Sequence, residues 1–250
     1  MKRYVLKVSY DGTCFHGSQL QGDLPTVQLA LNQALSTLLR EVITTFGASR
    51  TDEGVHALAN FYHFDTDKTV SQKLLYNLNA ILPHSLSVKN WYVANTNEFN
   101  ARFDAICRTY RYRIYHRKQP FYHQRALYYP FQLDRTSLNE TAALIQQYTD
   151  FESFSKRNTQ TYTFLCTLLE SRWEQSGDQL HYIVRANRFL RGMVRGLVST
   201  QLQVARGRYD LNAFKKIIEA KDCTQADFSV PGHGLYLESI EYPEGSFTSL

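Results

Sequence analysis

Hydrophobic periodicity along this chain switches between a two-residue and a 3.6-residue repeat in the same order twice, and that doubled order restricts the fold more than any other feature. Tyr4, Leu6, Val8 and Tyr10 alternate as the residues of a half-buried strand do. A loop with Gly12, Gly17, Gly22 and Pro25 follows. Thr26 then stands as the N-cap of a helix carrying Val27, Ala30, Leu31, Ala34, Leu35, Leu38 and Leu39 on one face. Strands are expected near 41–47 and 57–64. A helix is expected from Ser71, with Leu74, Leu75, Leu78 and Ile81, ending before Pro83; a strand through Val88 to Val93 closes the set. The first half reads β-α-β-β-α-β.

The second half repeats this order with one extra helix. A strand runs through Tyr110, Tyr112 and Ile114, and a helix from Ser137 carries Leu138, Ala142 and Ile145. Two strands near 162–173 and 179–187 flank the turn at Ser176-Gly177-Asp178. Apolar pairs at 189/190, 193/194 and 197/198 mark a helix over 189–202. A shorter helix holds Leu211, Phe214, Ile217 and Ile218, and a last strand alternates through Leu235, Leu237 and Ile240. The expected class is α+β. Two ferredoxin-like βαββαβ halves, residues 1–100 and 101–250, would form a mixed or antiparallel sheet with helices on one side and a central cleft.

Charge says what that cleft would hold. The formal net charge is only +5, but it is unevenly spread. Residues 102–118 hold Arg102, Arg108, Arg111, Arg113, Arg117 and Lys118 against one acid, Asp104. Residues 185–208 hold Arg185, Arg188, Arg191, Arg195, Arg206 and Arg208 and no acid. These segments take 12 of the 28 Lys and Arg and 1 of the 23 Asp and Glu, leaving the remainder with 16 bases against 22 acids. Arginine interleaved with Tyr110, Tyr112, Tyr115 and Phe189 suits phosphate forks and base stacking. Nucleic acid is therefore favoured over the bland reading, in which both segments are solvated faces paired with acids elsewhere. On the 189–202 helix, Arg188, Arg191 and Arg195 would form one basic stripe.

Other classes fall away. No window approaches the roughly 18 apolar residues of a membrane span, and Lys7 interrupts any signal-like run at the amino terminus. Cys14, Cys107, Cys166 and Cys223 are far apart, so neither a zinc site nor a disulfide framework is indicated, and a cytoplasmic protein with reduced thiols is expected.

The candidate for chemistry is Asp52, in the turn Ser49-Arg50-Thr51-Asp52-Glu53-Gly54 between two apolar runs. An ionised, partly desolvated aspartate is a competent nucleophile toward an electrophilic carbon, and Arg50 can favour its charged form. Alone, such a turn is weak evidence, because Asp, Gly and Ser favour exposed turns for local reasons. The eight histidines, His56 included, carry no catalytic assignment; His56 reads as a turn residue making local hydrogen bonds.

Six ordered blocks add a resemblance. They are Tyr10-Asp11-Gly12 with Phe15-His16-Gly17; Arg50-Thr51-Asp52-x-Gly54-Val55-His56-Ala57 with His63-Phe64; Phe99-Asn100-Ala101-Arg102-Phe103 with Arg108-x-Tyr110-Arg111-Tyr112; Asp150-Phe151-x-Ser153-Phe154; Met193-Val194-Arg195; and Gly234-Leu235-Tyr236-Leu237. Together they resemble the tRNA pseudouridine synthase A family over nearly the whole chain. The resemblance implies isomerisation of uridine to pseudouridine at positions 38, 39 and 40 of the tRNA anticodon stem-loop. It further implies Asp52 as catalytic nucleophile, with Arg50, Tyr110 and Arg195 binding the substrate. Tyr110 would stack on the flipped uracil, and Arg195 would pair with Asp52. No cofactor, no metal and no membrane are implied, and a homodimer is. Ser49, Glu53, Ser18 and Leu20 replace the family's more usual Gly, Ala, Trp and Arg, which bears on which tRNAs and positions are modified. The alternatives are a paralogue acting elsewhere on tRNA or on another RNA, a non-catalytic RNA-binding module, and an enzyme for a small acidic substrate.

Overall fold

A computed structural model describes residues 1–157 and 161–250. In chain order the elements are β1 (Lys2–Tyr10), α1 (Val27–Leu39), β2 (Phe46–Gly47), β3 (His56–Thr66), α2 (Gln72–Ile81), β4 (Leu86–Ala94), β5 (Cys107–Tyr115), β6 (Leu127–Tyr128), α3 (Arg135–Ile145), β7 (Leu168–Ser176), β8 (Gln179–Ala186), α4 (Met193–Ala205), α5 (Leu211–Glu219), β9 (Leu235–Glu241) and β10 (Phe247–Ser249). The α+β class and the doubled element order agree with the periodicity of the sequence. The extra helix is α5. Among the described residues, no helix is long and apolar enough to cross a membrane.

The chain divides into two compact units, one made of residues 1–106 with 236–250 and the other of 107–235. The sequence reading kept everything from residue 101 onward together. The end of the chain instead joins the first unit, because β9 pairs in parallel with the start of β3 (His56 with Tyr236, Ala57 with Leu237) and β10 pairs with β4.

In the first unit, β4 and β3 flank β1 on either side, both antiparallel, and β2 adds to β3. The order β4-β1-β3-β2 is that of a ferredoxin-like half. The long β3 shares its outer edge, giving its first residues to β9 and Tyr62 and His63 to β2. The turn bearing Asp52 leaves the sheet between those two pairings. Trp91, Phe64, Leu6, Leu31 and Leu35 fill the core.

The strand expected over 41–47 is reduced to two residues. Side chains of α1 take the backbone bonds a strand would need: Thr45 N–H donates to Asn32 Oδ1 (2.9 Å), Gln28 Nε2 donates to the Thr45 carbonyl (2.5 Å), and Ile43 N–H donates to Ser36 Oγ (2.9 Å). Val42, counted as a strand residue, is exposed.

In the second unit, β8 lies between β5 and β7, antiparallel to both. The expected strand at 162–173 begins only at Leu168. The stretch before it is held by 149–151: Cys166 N–H donates to the Thr149 carbonyl, and Phe151 N–H to that of Phe164. The helix expected over 189–202 starts at Met193, after Gly192 in the left-handed region (φ 77°). Arg188 and Arg191 thus precede the helix, and the anticipated stripe with Arg195 does not form.

Thr26 caps α1 as the sequence indicates, its side chain accepting the Leu29 N–H (3.2 Å). We expect Thr26→Ala to cost about 1 kcal/mol, read as a lower urea midpoint at unchanged slope.

Candidate active site

The turn that carries Asp52 is held from beneath by buried polar groups. Thr51 N–H donates to Ser18 Oγ (2.8 Å), and Ser18 N–H donates back to the Thr51 carbonyl (3.0 Å). Asn60, on β3, donates from Nδ2 to the Ser49 carbonyl (3.0 Å) and accepts the Ser49 N–H at Oδ1 (3.3 Å). The same Nδ2 reaches the Tyr10 hydroxyl (3.2 Å), which lies 2.8 Å from Thr51 Oγ1. Ser18, Ser49, Thr51, Tyr10 and Asn60 are all buried. The backbone just before Asp52 is therefore fixed on both its donor and acceptor sides. Burial pushes the Tyr10 phenol from its ordinary 10.0 up to about 12, against the pull of its hydrogen bonds to Thr51 and Asn60.

Behind Asp52 the chain reverses. Val55 N–H donates to the Asp52 carbonyl (3.2 Å), with Gly54 at φ 77°, a conformation glycine adopts without strain. Gly12 lies against this exit: a Cβ there would stand 2.1 Å from the Val55 carbonyl oxygen. His56 is not the turn residue the sequence indicated. It is the buried first residue of β3, with Nδ1 3.2 Å from Asp11 Oδ1 and 3.3 Å from Gly12 N, and its ring stacks on Tyr236 at 4.5 Å. Residues 44 and 45 positions away in sequence hold it, so its contacts are long-range.

Asp52 itself is half-buried, and Arg50 is exposed two residues earlier. Glu53 is exposed, its carboxylate 3.7 Å from His16 Nδ1. Both Asp52 and Arg50 belong to the first unit. Tyr110 and Arg195 belong to the second. Tyr110 sits in β5, buried, edge-on to Phe189 at 5.1 Å. Arg195 lies in the first turn of α4, and its Nε donates to the Val230 carbonyl (2.9 Å). Burial raises the Tyr112 phenol, and the nearby Arg195 charge draws it back.

The basic segments of the second unit divide. Arg111 is paired with Glu174 (2.8 Å), as the bland reading of these charges requires. Arg206 stacks on Phe131 at 3.6 Å. Arg191 and Arg208 remain exposed. Among the described residues, no group of three or more His, Cys, Asp and Glu lies together.

Sequence reasoning missed Tyr10, Asn60 and the anchoring role of Ser18. Tyr10 was read as a strand residue and as part of the Tyr10-Asp11-Gly12 block, and Ser18 only as a departure. Asn60 offered one usable signal, an amide inside the largely apolar run 57–64.

Residues 148–243 match the family model described as tRNA pseudouridine synthase. The chain is 41% identical over 249 residues to tRNA pseudouridine synthase A of Parabacteroides distasonis, spanning 99% of this chain and 98% of that one. It is 39% identical over 252 residues to the tRNA pseudouridine synthase A of Bacteroides thetaiotaomicron (99% and 93% covered) and 36% over 245 residues to that of Bacillus licheniformis (96% and 99%). Fold and matches together define an isomerase of the pseudouridine synthase class. Within that class, the chain belongs to the tRNA pseudouridine synthase A family.

Two outcomes follow from the buried network. Tyr10→Phe removes the buried partner of the Thr51 hydroxyl and one of the two acceptors of Asn60 Nδ2, and we expect a loss of about 1–3 kcal/mol of stability in chemical denaturation. The raised Tyr10 pKa sets a sign for pH. The unfolded phenol ionises near 10.0 and the folded one near 12, so this stabilisation is complete below pH 10 and is lost as pH rises toward 12. Unfolding free energy measured across that window should fall less steeply for Tyr10→Phe than for the parent.

Proposed function

We propose that this enzyme converts uridine to pseudouridine in the anticodon stem-loop of tRNA, at positions 38, 39 and 40, with Asp52 as nucleophile. The observation that carries the reading is the Asp52 turn: a half-buried carboxylate on a backbone fixed at Ser49 and Thr51, in a chain of this family. The reaction is an isomerisation. The bond from uracil N1 to the ribose breaks, the base turns, C5 bonds to the ribose carbon, and the proton from C5 is replaced by one on N1. Asp52 engages the nucleotide covalently while the base is detached.

The target uridine must leave its stack, at a cost of a few kcal/mol. Arg50 holds the flipped nucleotide's backbone or its vacated place, Tyr110 stacks on the uracil, and Arg195 is the third substrate-binding residue. Exposed arginines such as Arg191 contact phosphates and supply most of the affinity by counterion release. The enzyme acts in the cytoplasm as a homodimer, which light scattering of the purified protein tests directly.

We expect Asp52→Asn to abolish pseudouridine formation on anticodon stem-loop RNA while RNA affinity stays within about tenfold, since phosphate contacts dominate binding. Residual modification by that variant would remove Asp52 from its role. Arg191→Ala should lower the salt slope of binding by about one, whereas Arg195→Ala should lower activity with the slope unchanged; equal slopes would erase the distinction. Mapping pseudouridine in tRNA from cells with and without the gene fixes the modified positions.

A further inference from the structure

The first unit has a cavity of about 170 Å³ on the Arg50 side of the catalytic turn. Arg50 and Ser49 line it, while Asp52 does not. It is therefore separate from the carboxylate that does the chemistry, though built on the same turn. Its other walls include Phe46, Tyr62, Arg102 and Phe103. We propose that this cavity binds a second nucleotide of the RNA, a single-ring base flanking the target uridine, and so contributes to the choice of modified position. The proposal rests on the reading of the chain as an RNA-modifying enzyme and adds to it a subsite for the neighbouring base.

Size, charge and aromatic placement each limit the occupant. An engineered apolar cavity of roughly 150 Å³ accepts one benzene ring, whereas pockets for drug-sized ligands start at roughly 300 Å³. The half-open pocket of about 170 Å³ thus has room for one six-membered ring. The lining includes two arginines and no carboxylate, so the occupant carries negative charge. Phe103 is 75% exposed and Phe46 is 55% exposed. Large apolar rings turned outward beside guanidinium groups are what a stacked base and its phosphate require.

The rings are preset. Phe46 stacks on His63 at 5.3 Å, and the Arg102 guanidinium lies 5.3 Å from the Phe103 ring centre. The segment bearing Arg102 and Phe103 is fixed at its start. Asn100 Oδ1 accepts the N–H groups of Arg102 (2.9 Å) and Phe103 (3.3 Å), and His63 Nδ1 accepts that of Ala101 (3.2 Å). Burial lowers the His63 pKa to about 4, with Arg3 acting in the same direction, so the ring is neutral and free to accept at neutral pH.

The test uses binding and activity side by side. In the Asp52→Asn background, affinity for anticodon stem-loop RNA is measured with Phe103 intact and as Phe103→Ala, and separately as Phe46→Ala. Both rings are more than half exposed, so neither change should disturb folding, which circular dichroism checks. Loss of one stacked base predicts roughly five- to hundredfold weaker binding. An abasic residue scanned through the nucleotides around the target should give the same loss at one position. There, combining it with Phe103→Ala should add nothing, and a purine should bind less well than a pyrimidine. Additive losses at every position, unchanged affinity for both alanine variants, or equal binding of purine and pyrimidine would each overturn the subsite. Failure of the parent enzyme to form pseudouridine in this RNA would instead overturn the functional reading, and the binding measurements do not depend on it.

Discussion

Everything proposed for this enzyme depends on the reciprocal pair of bonds between Ser18 and Thr51. One N–H and one carbonyl of the Asp52 turn are tied to a loop more than thirty residues earlier, and Asn60 ties Ser49 in the same way from β3. Each such bond contributes only about 1 kcal/mol net. Burial makes the set more consequential than that figure, because each partner left alone would be a desolvated polar group. A turn at the edge of a sheet normally opens at little cost. Here opening would expose Tyr10, Thr51 and Asn60 to partial satisfaction all at once. The Asp52 carboxylate stands on a backbone that these bonds hold in place.

The order of elements and the turn at Asp52 were legible in the sequence because both follow from short-range signals. Alternation at Tyr4 to Tyr10, the cap at Thr26 and the glycine at position 54 each act within a few residues. What escaped notice acts across the chain. The strand expected over 41–47 fails because Asn32 and Gln28 on α1 capture the backbone of Thr45, and no local pattern announces that competition. The basic stripe at 188, 191 and 195 fails because Gly192 delays the helix by four residues, although the apolar pairs at 189/190 fit its period. His56 sits beside a turn in sequence, yet its partners, Asp11 and Tyr236, come from opposite ends of the chain.

The second unit shows how a net positive charge is divided between structure and function. Arg111 meets Glu174, and Arg172 meets both Glu170 and Glu174 on the β7 side of the sheet. These guanidinium groups are partly neutralised before any ligand arrives. Arg191 and Arg208 are turned to solvent, Arg208 donating to Gln203 Oε1 (3.2 Å). Counting arginines in a segment therefore overstates the charge left unpaired, since Arg111 bridges β5 to β7 through Glu174.

The parallel pairing of β9 with β3 has a consequence for how the protein is made. The first unit draws on residues from both ends of the chain, whereas the second is one uninterrupted stretch. During synthesis from the amino terminus, domains fold as units once their residues have emerged. Residues 107–235 can thus assemble while the first unit still lacks its last two strands. Tyr236, the ring on which His56 rests, emerges after all of them, so the support behind the Asp52 turn is completed after the second unit can form.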